Sequence, residues 1–211
     1  LGDPSGTPDR VATMTNPMPD PAVDPSRAAV LIPGRMPVHH PTLAFADEAV
    51  QRRGGYVHRM TWSPPDVPFD LAGIHAVLMP WVRSQVASAL SVLGQDRPRA
   101  RTPLLIGKSL GTLAAPLATE LGFPAVWFTP ILVEPSLVDS FAGAAEPALF
   151  VGGTADHGWD GEVARTLSPH VLEIEGADHG MFVPGPLAGS GPVFGQIGTA
   201  VERFLDDVVW A

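Results

Sequence analysis

Pro103-Leu104-Leu105-Ile106-Gly107-Lys108-Ser109-Leu110-Gly111-Thr112-Leu113-Ala114-Ala115 is the stretch on which the reading of this chain turns. Its first four residues form an apolar run of the kind that makes a buried strand, and the residues from Thr112 to Ala118 read as a helix. Between them stands Gly-x-Ser-x-Gly, the pattern of a strand–turn–helix elbow that carries a nucleophile. The turn is so sharp that its serine must adopt a strained backbone conformation, at a cost of roughly 1–3 kcal/mol. Glycines flank it because a side chain at either place would clash where helix and strand cross. The expected result is a Ser109 hydroxyl lifted clear of the sheet.

A serine hydroxyl is a weak nucleophile and needs a base to take its proton and an acid to orient that base. Both are found downstream, in the order Ser, Asp, His. Pro147-Ala148-Leu149-Phe150-Val151-Gly152-Gly153-Thr154-Ala155-Asp156 reads as a strand ending in an acid. Val171-Leu172-Glu173-Ile174-Glu175-Gly176-Ala177-Asp178-His179-Gly180 reads as a strand ending in a histidine. In a doubly wound sheet these residues arrive where ligands bind, at the carboxyl ends of the strands. The rival acids are Asp160, and Asp178, which is too close along the chain to reach round the His179 ring.

The rest of the chain alternates in the same way. Residues 1–27 are rich in Pro, Asp, Gly and Thr, with Arg10 to Met14 as one edge strand at most. Residues 28–211 form the predicted domain, in which strands and helices alternate as in a mostly parallel sheet of about six to seven strands with helices on both faces. Ala28 to Ile32 is a strand, Thr42 to Arg53 a helix, Tyr56 to Trp62 a strand, Met79 to Leu93 a helix and Ala125 to Phe128 a strand. Leu110, Leu113, Ala114, Leu117, Ala118 and Leu121 form one helical stripe, which Pro116 is expected to kink if the helix begins at Leu110. A last helix carries Phe194, Ile197, Val201, Phe204, Leu205 and Val208 on one stripe. Between Thr129 and Glu146 there is room for one short helix and no cap domain, so the cleft is expected to be open and suited to small substrates.

Composition narrows the function classes. A length of 211 residues suits one sizeable core. The absence of cysteine excludes disulfides and a thiol nucleophile. A net charge of -9 argues against nucleic acid as a partner, and no uninterrupted apolar stretch approaches membrane-spanning length. The first residues lack the layout of a signal peptide, so a cytoplasmic location is the expectation.

Ile106-Gly107-Lys108-Ser109-Leu110-Gly111-Thr112 and Gly176-Ala177-Asp178-His179 resemble segments of compact, lid-less α/β-hydrolases of the dienelactone-hydrolase-like kind. The resemblance spans roughly residues 28–211. Dienelactone hydrolases use a cysteine nucleophile, so their reaction does not carry over to a chain that has none. The resemblance implies an α/β-hydrolase fold and a serine hydrolase acting on an ester or related acyl bond of a small substrate without a cofactor. It also leaves two other readings open: a catalytically silent fold used for binding or scaffolding, and an acyltransferase or tailoring enzyme with the same triad.

The site expected on these grounds consists of Ser109, Asp156 and His179. An oxyanion hole would be formed by the backbone amides of Leu110 and Arg35. The Arg35 assignment follows an alignment of Pro33-Gly34-Arg35-Met36 with the His-Gly-x loop of relatives. Gly34, Met36, Trp62 and Met181 are the candidate substrate contacts. Lys108 and Arg35 are candidate selectors of an anionic substrate, although a charge beside an elbow more often faces solvent. His39-His40 lies near the expected oxyanion loop and has two readings, a substrate contact or, favoured, a solvated pair before a helix start at Pro41. No histidine or acid spacing matches a zinc motif, so no metal is expected.

Overall fold

The computed structural model describes residues 23–35 and 40–211. The predicted edge strand at Arg10 to Met14, and the candidate residues Met36 and His39, lie outside the described residues. The elements in chain order are β1 (Ala28–Ile32), α1 (Pro41–Gln51), β2 (Tyr56–Arg59), α2 (Leu71–Gly73), a π-turn (Ile74–Leu78), α3 (Met79–Asp96) and β3 (Leu104–Lys108). A 3₁₀ turn (Ser109–Ala114) then leads into α4 (Ala115–Leu121), followed by β4 (Ala125–Phe128), α5 (Pro135–Val138), β5 (Ala148–Gly153), α6 (Gly161–Leu167), β6 (His170–Ile174) and α7 (Gly191–Phe204).

The six strands form one sheet in the order β2-β1-β3-β4-β5-β6, with every pair parallel. Parallel pairing requires crossovers, and these cover both faces, so β1, β3 and β4 are buried along their whole length. Alternate residues feed two cores. Val30, Ile32, Leu105, Trp127 and Phe150 face α3 and α4 on one side. Leu31, Ile106, Val126, Phe128 and Val151 face α1 and α7 on the other. The strand order reverses between β1 and β3. That switch point is where a doubly wound sheet opens a crevice beyond its carboxyl ends.

Four expectations are corrected. First, the helix expected from Met79 starts at Leu71, where Asp70 Oδ1 caps it by accepting from the Gly73 amide at 2.8 Å. From Leu71 to Asp96 it runs 26 residues, with an 18-residue stretch of mean hydropathy 1.3, which by length and composition is enough to cross a membrane. Here it packs Ile74, Leu78, Val82, Val86 and Leu93 into the core below the sheet. Second, Pro116 kinks nothing. Ser109–Ala114 is a 3₁₀ turn and α4 begins at Ala115, which places the proline in the first turn, where its missing N–H is not needed. Third, Leu121 is exposed rather than part of the packing stripe. Fourth, β2 ends at Arg59, short of Trp62. The connection from Thr129 to Glu146 holds only the one-turn α5, so no cap covers the carboxyl ends among the described residues.

Candidate active site

β3 delivers Ser109 in the left-handed region, at φ 50°. The two glycines make this turn possible by close approach. A Cβ on Gly107 would lie 2.7 Å from the Gly111 carbonyl oxygen, and one on Gly111 would lie 2.6 Å from the Ile32 carbonyl oxygen. Backbone yields at such distances only at a cost, which is why both positions lack a side chain. Gly153 serves the same purpose at the end of β5, where a Cβ would run into the Ala177 carbonyl oxygen. That close approach brings the turn carrying Asp156 against the loop carrying His179.

The three residues meet. His179 Nδ1 lies 2.8 Å from Asp156 Oδ2, and His179 Nε2 lies 2.9 Å from Ser109 Oγ. A carboxylate accepts, so Nδ1 carries the imidazole proton and Nε2 is free to accept from the serine hydroxyl. Asp156 is 8% exposed, and its other oxygen accepts from the Gly158 amide at 3.0 Å. Burial pushes its carboxyl upward, but the hydrogen bonds from His179 and Gly158 outweigh burial and hold it below its ordinary value. The rival acids are engaged elsewhere. Asp160 caps α6 through the Glu162 and Val163 amides, and Asp178 accepts from the Gly180 and Phe182 amides.

A cleft of about 300 Å³ opens over this group, lined by Gly34, Arg35, His40, Lys108, Ser109, His179 and Gly180. It sits at the switch point between the loops that follow β1 and β3. Grooves of about 370 and 380 Å³ elsewhere on the surface exceed it in volume but hold no serine–histidine pair. Gly34 lies close over the serine, since a Cβ there would come within 3.7 Å of Ser109 Cβ. The adjoining Arg35 turns its guanidinium away to the carbonyls of Pro65 and Val67, at 3.4 and 2.9 Å. It therefore stays in the cleft wall, and its amide stays on the β1 side of the serine. Leu110 follows Ser109 in the 3₁₀ turn and is fully buried.

Two candidate contacts are corrected. Met181 is fully buried in the core between the sheet and α7, so it does not meet substrate. Trp62 is also buried, with its ring 4.9 Å from that of Trp81. Its indole N–H donates to the Gly34 carbonyl at 2.9 Å, so it fixes the loop opposite the serine rather than lining the cleft.

Two further residues depart from the sequence reading. His40 is not a solvated bystander. Its Nδ1 accepts from the Thr42 amide at 3.3 Å and caps α1, which leaves the proton on Nε2. Burial, with Lys108 and His179 nearby, pushes its pKa down to about 4, so it is neutral at physiological pH. Lys108 does not face solvent either: it is 5% exposed. Its hydrogen-bond partners, Thr129 and His179, lie on two different loops. A lysine spaced between Gly107 and Ser109 gives no sign of this, because both partners are distant in sequence.

No protein-family profile and no curated protein matches this chain. Solved structures do. A lid-less α/β serine hydrolase from Xanthomonas campestris is 18% identical, with 89% of this chain and 86% of that one covered at a TM-score of 0.55. An α/β serine hydrolase homologue from Coxiella burnetii is 14% identical over 89% and 88% of the two chains, at 0.64. The esterase domain of a Rhodothermus marinus protein is 16% identical over 90% and 91%, at 0.57. The chain has the α/β-hydrolase fold in its compact form without a lid.

Proposed function

We propose that this chain is a serine hydrolase that cleaves an ester or related acyl bond of a small substrate. The observation that carries the reading is the unbroken relay from Ser109 Oγ through His179 to the buried Asp156, at 2.9 and 2.8 Å, with the serine held at φ 50°. Strain at a residue with a base already in hydrogen-bond contact has no evident packing purpose. Structural neighbours described as serine hydrolases and esterases support the same class.

In this reading Ser109 Oγ attacks the acyl carbon while His179 Nε2 takes its proton. Asp156 keeps the imidazole in the productive tautomer and balances the imidazolium. The backbone amides of Leu110 and Arg35 meet the oxyanion, each donor contributing roughly 2.7–4 kcal/mol. His179 then returns the proton to the leaving alcohol, and water, activated by the same base, releases the acyl group. None of these steps draws on a metal or cofactor.

The open cleft of about 300 Å³ sets the substrate size. A methylene contributes about 0.8 kcal/mol only where it is buried. Measured with p-nitrophenyl esters from acetate to palmitate below micelle-forming concentrations, kcat/KM should peak at short acyl chains, roughly C2 to C6. A steady rise through C12 or C16 would reveal a buried acyl groove and contradict the open cleft.

A further inference from the structure

We propose that Lys108 is a positioning residue for the catalytic base, its ammonium clamping the backbone carbonyl of His179 to the hydroxyl of Thr129. The inference rests on the hydrolase reading of Ser109 and His179 above. Lys108 Nζ donates to the His179 carbonyl at 3.0 Å and to Thr129 Oγ1 at 3.1 Å. One side chain thus ties the end of β3, the residue after β4 and the loop after β6.

Two costs converge on this clamp. The first is burial of an ammonium that has no carboxylate within ion-pair distance among the described residues. The second is Thr129, a fully buried β-branched residue held at φ 48°, where such side chains are rarely found. Its amide donates to the Val151 carbonyl at 2.7 Å, which anchors the backbone that carries the hydroxyl accepting from Lys108. A methionine at position 108 would fill the same space without the first cost and would leave the second serving no bond to residue 108. What the charged residue adds is a directional grip on the backbone of His179, the residue whose side chain must stay within reach of Ser109.

The clamp makes activity depend on pH in a particular direction. The groups facing the ammonium are Asp156 after β5, Asp178 and His179 after β6, and His40 before α1. Burial lowers the Lys108 pKa to about 8, against the pull of the two aspartates. Above that pH the amine keeps N–H donors but loses its charge, and charge-assisted hydrogen bonds are roughly twice as strong as neutral ones. The histidine loop should therefore slacken on the alkaline side.

The test is the pH profile of p-nitrophenyl acetate hydrolysis from pH 6 to 9.5, corrected for spontaneous hydrolysis. It compares wild type, Lys108→Arg and Lys108→Met, with folding checked by circular dichroism and Tm. Wild-type kcat should fall several-fold through pH 8. Lys108→Met should lower kcat by about 10- to 100-fold with KM little changed, the scale of a misplaced catalytic group, and should lack the alkaline fall. Lys108→Arg should recover much of kcat and carry its plateau to the end of the range. A folded Lys108→Met with wild-type kcat and an unchanged profile overturns the proposal.

If Lys108→Met does not fold, the far end of the clamp decides. Thr129→Ala should lower kcat while Thr129→Ser keeps it, and equal rates overturn the proposal. A wild-type protein that turns over no ester and takes no fluorophosphonate label sinks the hydrolase reading separately. Amide hydrogen exchange over residues 177–182 then tests the clamp alone. Faster exchange in Thr129→Ala than in Thr129→Ser supports it, and equal exchange overturns it.

Discussion

The two walls of the cleft are built on different principles. The β3 wall, from Gly107 to Gly111, is set by backbone sterics: two glycines in carbonyl contact, a left-handed serine and a fully buried Leu110 behind it. The Lys108 side chain reaches out of it to Thr129 and His179, but the backbone course of the wall is set by these local contacts. The β1 wall, Gly34 and Arg35, is held by side chains from elsewhere: the Trp62 indole on the Gly34 carbonyl, and the Arg35 guanidinium on the carbonyls of Pro65 and Val67. His40, which caps α1, closes the same side. One wall is set by backbone contacts too close to admit a side chain. The other is positioned by a few polar contacts that single substitutions can remove.

The contrast predicts that damage to the β3 wall appears first in stability. Gly111→Ala forces a Cβ against the carbonyls of Ile32 and Pro33, at 2.6 and 2.8 Å. Overpacking costs typically 1–3 kcal/mol, and contact with backbone belongs at the upper end. Thermal unfolding should show Tm lowered by about 6–12 °C for a chain of this size. A Tm within 2 °C of wild type would mean that the wall can shift after all.

Damage to the β1 wall should appear in rate instead. Trp62→Phe keeps the apolar packing against Trp81 but removes the donor to Gly34. A net hydrogen bond is worth about 0.5–1.5 kcal/mol, so Tm should move little. The loop amide opposite Ser109 is displaced, and kcat for a short ester should fall by about tenfold with KM nearly constant. Equal losses in kcat and Tm would erase the distinction between the walls.

The smallest effect concerns His40 and acid. Its pKa is held near 4 in the folded protein by burial and by neighbouring Lys108 and His179, against about 6.5 when unfolded. Between these values the unfolded chain binds a proton that the folded chain does not. The stabilisation is therefore fully present above about pH 6.5 and is lost as pH falls toward 4. His40→Asn keeps a capping acceptor for the Thr42 amide without a titrating ring. Its Tm should fall less than that of wild type between pH 7 and 4.5, by about 2–4 °C, or roughly 1 kcal/mol after solvent screening of a half-exposed ring. Parallel acid profiles would show that His40 does not sense the fold.

The parts of the site also differ in how much of them could be read before the fold was known. The elbow was legible because its signal is local: glycine, serine and glycine between an apolar strand and a helix. Asp156 and His179 were legible because chain order and strand ends place them. Lys108, Trp62 and Met181 were not. Their roles depend on partners 21 to 71 residues away for Lys108 and 28 for Trp62, and for Met181 on a turn at φ 61° that sends its side chain into the core. A lone charge near an elbow reads as a solvated one, and an aromatic near a strand end reads equally as lining or core. The start of α2 was hidden by the proline-rich approach from Ser63 to Pro68, where Asp70 is the one capping signal. Pro116 looked disruptive because 3₁₀ and α turns share an apolar pattern over six residues.

The central claim is that Ser109 is a nucleophile activated through His179 and Asp156. It is tested most directly by treating the wild-type protein and Asp156→Asn with a fluorophosphonate and mapping the adduct by mass spectrometry. The account predicts a single adduct at Ser109 in wild type. In Asp156→Asn, with the histidine in the wrong tautomer, the same adduct should form more slowly by as much as about 10⁴-fold. Wild-type protein that takes no label at Ser109, under conditions that label a known serine hydrolase, would contradict the account and leave the fold as a binding scaffold.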